Sequence, residues 1–251
     1  MLTALRSSDD ARAFAWTEEK SQGPWVCPEC ARAALLRKGR IKSHHFAHKP
    51  PVLCEYGRGE TEAHRKCKTA IFEALRAYPG VSNADIEHRL GAVRPDVYAV
   101  FNGQPIAIEV QRSQLTIPVI EARTEAYHRL NVPVLWLSLW RPELATQKCT
   151  PKAWEKWLHA AQMGRAYYWA DYGDALDIVP VHFADFLLDV TEYDGHGGYT
   201  KRSRRWRTPQ PLLPARHVLS DFSRHPFGPY GEGAMAVPAR TIWLDRALKW
   251  W

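Results

Sequence analysis

From Glu60 to Tyr78 apolar residues recur with a helical period. Ala63, Cys67, Ala70, Ile71, Ala74, Leu75 and Tyr78 form one stripe, and Pro79-Gly80 ends it. The spacing predicts a helix over 60–78. Glu60, His64 and Lys68 make a row along one edge of the stripe, whereas Glu62, Arg65, Thr69 and Arg76 point away from it. Three β-like runs follow, Ser82 to Leu90, Asp96 to Phe101 and Pro105 to Gln111, the last two joined by Asn102-Gly103, a strong two-residue hairpin signal. Such a turn fixes the register, because paired positions then sum to 205: Val100 faces Pro105 and Asp96 faces Glu109. Alternation places Val97, Ala99, Phe101, Ile106, Ile108 and Val110 on one apolar face, which must be core, and sends Asp96, Glu109 and Gln111 out from the other.

Beyond the hairpin, Pro118 to Leu130 reads as a helix with Ile120, Tyr127 and Leu130 on one face. Val132 to Leu139 is a nearly continuous apolar run, as in a buried strand. Trp154 to Ala161 is a short helix, and 166–190 forms a hairpin around Gly173. The expected architecture is α/β (α+β), with the order helix, three strands, helix, strand over 57–142. A small N-terminal unit over 1–56 precedes it. A helix and hairpin extension over 143–190 follows, then a basic Pro/Gly/Arg-rich tail over 191–251.

Composition adds three constraints to this outline. The 251 residues are 45% hydrophobic, enough for a sizeable core, and contain neither a membrane-spanning apolar run nor the apolar region of a secretory signal. The expectation is a cytoplasmic protein that does not engage membranes. Five cysteines, two of them in Cys27-Pro28-Glu29-Cys30, fit a reducing compartment and a metal or redox use better than a disulfide framework. The net charge of +7 is concentrated near the end: from Glu192 onward ten Lys/Arg stand against five Asp/Glu, centred on Lys201, Arg202, Arg204, Arg205, Trp206 and Arg207. This run is the candidate nucleic-acid contact, and Trp206 is its candidate base-stacking residue.

Cys27-x2-Cys30 followed after fourteen residues by His45-x2-His48 has the two-pair form of a closed structural Zn²⁺ site, with His44 or Cys54 as alternative ligands. Arg37, Lys38, Arg40 and Lys42 lie between the pairs, as a phosphate contact or as a solvated turn. In the hairpin, two carboxylates facing each other repel unless something compensates. A divalent cation held by Asp96, Glu109 and the Val110 carbonyl is one compensation, and an ion pair to Arg94 or Lys68 is the other.

These residues carry a resemblance. Pro95-Asp96 with Glu109-Val110-Gln111, on the predicted element order, resembles the PD-(D/E)XK nuclease core. Cys27-Pro28-Glu29-Cys30, His45-Phe46-Ala47-His48, Glu60-Thr61-x-x-His64-x-x-x-Lys68, Arg94-Pro95-Asp96-Val97, Ile108-Glu109-Val110-Gln111-Arg112-Ser113, Arg123-x-x-x-Tyr127 and Val134-Leu135-Trp136 together resemble the competence protein CoiA family. The resemblance implies a nuclease-like core acting on DNA in recombination during natural transformation, with Asp96 and Glu109 as ligands of Mg²⁺ or Mn²⁺. Glu60 and Glu87 stand where relatives carry an extra acid. Gln111 replaces the usual lysine; it orients water but brings no positive charge, which Lys68 would have to supply, and His64 is a candidate proton relay. The competing readings are a DNA-binding recombination accessory with a degenerate core, and a nuclease used in defence. Strand type, oligomeric state and any recombinase partner stay open.

Overall fold

The computed structural model describes residues 1–51, 53–57, 59–111, 115–162, 165–171, 176–193, 195–211, 223–225, 233–237 and 240–244. Five short strands come first: β1 (Thr3–Arg6), β2 (Arg12–Phe14), β3 (Trp25–Val26), β4 (Ala33–Arg37) and β5 (His45–His48), forming a sheet in the order β2-β1-β3-β4-β5. Its inner face buries Met1, Ala4, Ala13, Ala15, Trp25, Cys27, Ala34, Leu36 and Phe46. The chain then enters helix α1 (Glu62–Ala77), strands β6 (Val81–Ile86), β7 (Val97–Phe101) and β8 (Gln104–Gln111), helix α2 (Ile117–Arg129), strand β9 (Val134–Leu139), helix α3 (Ala153–Ala161), and strands β10 (Ala166–Asp171), β11 (Leu176–Tyr193) and β12 (Tyr199–Pro211). Strands β6 to β12 make one seven-stranded sheet in the order β12-β11-β10-β9-β8-β7-β6. Strands β13 (Ser223–His225), β14 (Gly233–Val237) and β15 (Arg240–Leu244) form a third sheet. Among the described residues no helix is long and apolar enough to cross a membrane.

The hairpin follows the expected register from Val97↔Ile108 to Phe101↔Gln104. Its turn works because Asn102 and Gly103 both have positive φ, 47° and 77°, which the mirror-image two-residue turn requires. Strands β8 and β9 run parallel, joined through α2, and α1 and α2 cover opposite faces of the sheet. Under α1, Cys67, Ile71, Phe72 and Leu75 pack on the predicted face Val97, Ala99, Phe101, Ile106, Ile108 and Val110. Under α2, Ile120 and Tyr127 pack on Ala107, Val134 and Trp136.

Three departures from the sequence expectation have physical causes. Helix α1 starts two residues later than predicted, because Thr61 caps it and Glu60 stays outside. Ala63 is exposed, while Phe72 and Arg65 are buried; Arg65 donates to the Glu60 carbonyl (3.0 Å) and to Glu62 (3.1 Å) instead of pointing to solvent. The segments expected as an extension and a tail continue the main sheet. Strand β10 pairs parallel with β9, and β12, which carries Lys201 to Arg207, pairs along its whole length with β11 as an edge strand. The side chains of Lys201, Arg202, Arg204, Arg205, Trp206 and Arg207 lie outside the described part of the structure.

Candidate active site and metal centre

One cleft of about 360 Å³ gathers Glu60, His64, Lys68, Glu87, Asp96, Glu109, Gln111 and Arg123. All seven residues singled out as catalytic from the sequence therefore line one cavity, but in unequal roles. Asp96 lies one residue past the last registered pair of the hairpin, so alternation no longer fixes its direction. Its Oδ2 accepts from the Val110 backbone N–H (2.8 Å) and lies 3.3 Å from His64 Nε2, while Oδ1 is 3.5 Å from Lys68 Nζ. It thus turns toward α1, whereas Glu109 points the other way into α2, and the expected common projection of the two acids is not what the chain adopts. Burial alone would raise the Asp96 pKa, but Lys68, His64 and the Val110 N–H outweigh it and hold the carboxyl below its usual range.

Glu109 is 2% exposed and is gripped through Oε1 by the Tyr127 hydroxyl and the Arg123 guanidinium. Arg123 and Tyr127 stand four apart on α2; the sequence pattern placed Tyr127 on the helix's apolar face and gave Arg123 no role. The i, i+4 spacing that aims both at one point was the signal available. Desolvation pushes Glu109 up to about 8, with the Asp96 charge adding to it against Arg123 and Tyr127. A carboxyl raised in the folded state binds its proton more tightly than in the unfolded chain, so its stabilising contribution is full below the ordinary carboxylate range and is lost as pH rises through 8. Zinc-loaded protein without added Mg²⁺ is expected to show a fall in Tm from pH 6 to 8.5, and the Glu109→Gln variant a smaller one. Parallel pH profiles in the two proteins would remove this assignment.

The other groups are committed to partners. His64 Nε2–H donates to the Val110 carbonyl (2.9 Å), the oxygen expected to serve a cation, and its Nδ1 lies 3.7 Å from Glu60. Lys68, 1% exposed, is bonded to Glu60 and Glu87 (2.6 Å to the latter) as well as lying near Asp96. It reaches the cleft wall, but its charge is shared by three carboxylates. Glu87, expected as an extra acid of the site, is 5% exposed and accepts from the Leu2 and Thr3 backbone N–H groups, the Thr3 and Tyr56 hydroxyls and Lys68. Lys68 and these donors hold it well below the carboxylate range against its burial. Arg94 pairs with Glu29 rather than with an active-site acid, and its guanidinium lies 4.2 Å from the Tyr56 ring centre. Gln111 is 6% exposed, in register with Ser138 of β9.

The hard oxygen donors of Asp96 and Glu109 suit Mg²⁺ or Mn²⁺. Arg123, its side chain 35% exposed at the rim and 5.5 Å over Trp136, is the more accessible cation beside them.

Beside the N-terminal sheet, Cys27, Cys30, His48 and Cys54 bring their ligand atoms within 4.8 Å of one another, and Cys30 Sγ lies 3.4 Å from His48 Nε2. This Cys₃His set suits tetrahedral zinc, for which sulfur ligands sit about 3.8 Å apart given Zn–S bonds of about 2.3 Å. The first ligand pair occupies the β3–β4 turn, where the Ala31 N–H closes on the Cys27 carbonyl (2.9 Å) and the Glu29 N–H points at Cys27 Sγ (3.3 Å). Burial pushes the metal-free Cys27 thiol up to about 12. The expected ligand His45 is corrected to Cys54: on strand β5 a spacing of three sends His45 and His48 to opposite faces, and His45 Nδ1 engages the Ser43 carbonyl at 2.9 Å.

Residues 60–163 match the family description "Competence protein CoiA, nuclease-like domain", and residues 10–57 match "Competence protein CoiA, N-terminal domain". The chain is similar to the competence protein CoiA of Bacillus subtilis (strain 168), 25% identical over 114 residues, which are 45% of this chain and 31% of that protein. The match thus spans about a third of the curated relative's length. No solved structure matches.

Proposed function

The chain belongs to the competence protein CoiA family, and from that premise we propose that it is a divalent-metal-dependent deoxyribonuclease acting in DNA processing during natural transformation. The observation that carries the reading is that Asp96 and Glu109, though held from α1 and from α2 respectively, line one cleft together with Gln111 and Arg123. Asp96 and Glu109 would hold Mg²⁺ or Mn²⁺. Such an ion, when bound, polarises a phosphodiester and lowers the pKa of a bound water.

The chain's own groups have separable tasks. His64 and the Val110 N–H fix the Asp96 carboxylate. Tyr127 fixes Glu109, which must surrender its proton before it can act as a ligand. The Gln111 carboxamide orients the attacking water, and Arg123 offers the positive charge toward the phosphate that a glutamine lacks. The basic strand β12 is a further contact for the DNA backbone.

Cleavage of labelled single-stranded and duplex DNA with Mg²⁺ or Mn²⁺ tests this reading. Products are expected from the wild type and are expected to fall at least about 100-fold in Glu109→Gln. A second reading, a non-catalytic DNA-binding accessory, is favoured by one feature: Lys68, the cation nearest Asp96, is enclosed by acids. DNA binding without products in any metal would select it.

A further inference from the structure

The β4–β5 connection is anchored at both feet and bare at its tip. At one foot Lys38 Nζ donates to the Glu18 carbonyl (2.8 Å) and to Glu19 Oε1 (2.6 Å). At the other the Ser43 N–H donates to Glu62 Oε1 (2.8 Å) in the first turn of α1, next to Glu60 and His64 of the cleft. Between the feet Gly39, Arg40, Ile41 and Lys42 are exposed, and Ile41 is 93% exposed. Beneath the tip runs a groove of about 780 Å³ lined by Lys20, Arg37, Lys38, Arg40 and Lys42, with no carboxylate among its described lining residues.

Lys38 is committed to Glu19, and the other four cations, Lys20, Arg37, Arg40 and Lys42, around one concave strip complement a phosphate backbone. A fully exposed isoleucine between two of them is unfavourable in water and has the form of an apolar wedge that enters a base step while flanking cations hold phosphates. A lipid surface is the poorer match, because interfacial segments present a broad apolar face with aromatic anchors and this loop presents one aliphatic side chain. We infer that the Arg40-Ile41-Lys42 tip is a duplex-DNA wedge, with the basic groove holding one strand's phosphates beside the proposed nuclease cleft. This rests on DNA being the substrate of that cleft, and it assigns to the N-terminal sheet the task of gripping and distorting the duplex.

The test uses the full zinc-loaded chain and a fluorescent duplex carrying 2-aminopurine, without Mg²⁺, from 50 to 200 mM salt. Removing two phosphate contacts in Arg40→Ala/Lys42→Ala is expected to reduce the slope of log affinity against log salt by about 1.8. Ile41→Ser is expected to weaken binding about fivefold at unchanged slope and to lose the 2-aminopurine enhancement. An unchanged slope in the double variant, an Ile41→Ser variant that binds and unstacks like the wild type, or absence of duplex binding by the wild type would each overturn the wedge. So would loss of pelleting with anionic vesicles in these variants while their DNA slope stays as in the wild type. Failure of the nuclease reading is distinguishable: a wild type that gives no products while the slope and the 2-aminopurine signal respond as expected defeats only the nuclease.

Discussion

Replacing Lys68 by methionine is expected to cost about 3–5 kcal/mol of folding free energy at pH 7, read from urea denaturation. Methionine fills nearly the same volume, so the loss is electrostatic. The Lys68 ammonium, 1% exposed, neutralises a group of acids on three separate stretches of chain: Glu60 before α1, Glu87 after β6 and Asp96 just before β7. Without it these carboxylates keep their burial and lose their nearest cation, and leaving a buried charge uncompensated is the expensive half of breaking an ion pair. The pH dependence separates this cause from lost packing. In the wild type Glu87 and Asp96 are held below their usual range, so their stabilising contribution is present above the ordinary carboxylate range and disappears only as pH falls through the lowered values. In the variant the acids protonate more readily, and the gap between the two proteins should narrow steadily from pH 7 to pH 4. A loss below about 1 kcal/mol at pH 7 would show that Lys68 is a spectator, and a larger loss that does not change with pH would assign its contribution to packing instead of charge.

The second large effect concerns zinc. Structural Zn²⁺ contributes roughly 10–16 kcal/mol of apparent binding energy in small modules, more than a five-stranded sheet of two- to five-residue strands can spare. Cys54→Ser is therefore expected to drop bound zinc from one per chain to a small fraction and to open the N-terminal sheet to limited proteolysis. His45→Ala should retain full zinc. Equimolar zinc in Cys54→Ser together with loss in His45→Ala would reverse the ligand assignment. The Cys54 variant also tests whether the module supports the cleft, since Glu29, between the first two cysteines, pairs with both Arg89 and Arg94, and Arg94 stands two residues before Asp96.

What could be read in the chain beforehand divides along a physical line. The β7–β8 hairpin, its register and its apolar face were legible because a two-residue turn and a strict period of two are local rules. The helices over Cys67 and Tyr127 were legible for the same reason. Lys68 was placed correctly along one edge of its helix, but its enclosure depends on Glu87, whose own environment comes from Leu2 and Thr3, and no local pattern links those positions. His45 was preferred to Cys54 because pair spacing was read without the parity of a strand. Once His45–His48 is known to be extended, the buried Phe46 shows which histidine turns inward with it. Strand β12 escaped notice because an edge strand rich in Lys and Arg shows no apolar alternation, and charged edges are how sheets avoid unwanted pairing.

Glu87 has a consequence for how such proteins can be divided. The two matched regions meet between residues 57 and 60, and in sequence that seam looks like a natural cutting point. In three dimensions Glu87, well inside the second region, takes its hydrogen bonds from Leu2, Thr3 and Tyr56 on the near side of the seam. A fragment cut there would carry a buried anion stripped of most of its donors. In this chain the two regions share one buried hydrogen-bond network, and exchanging either against a distant relative's is expected to succeed only where this carboxylate and its donors are exchanged together.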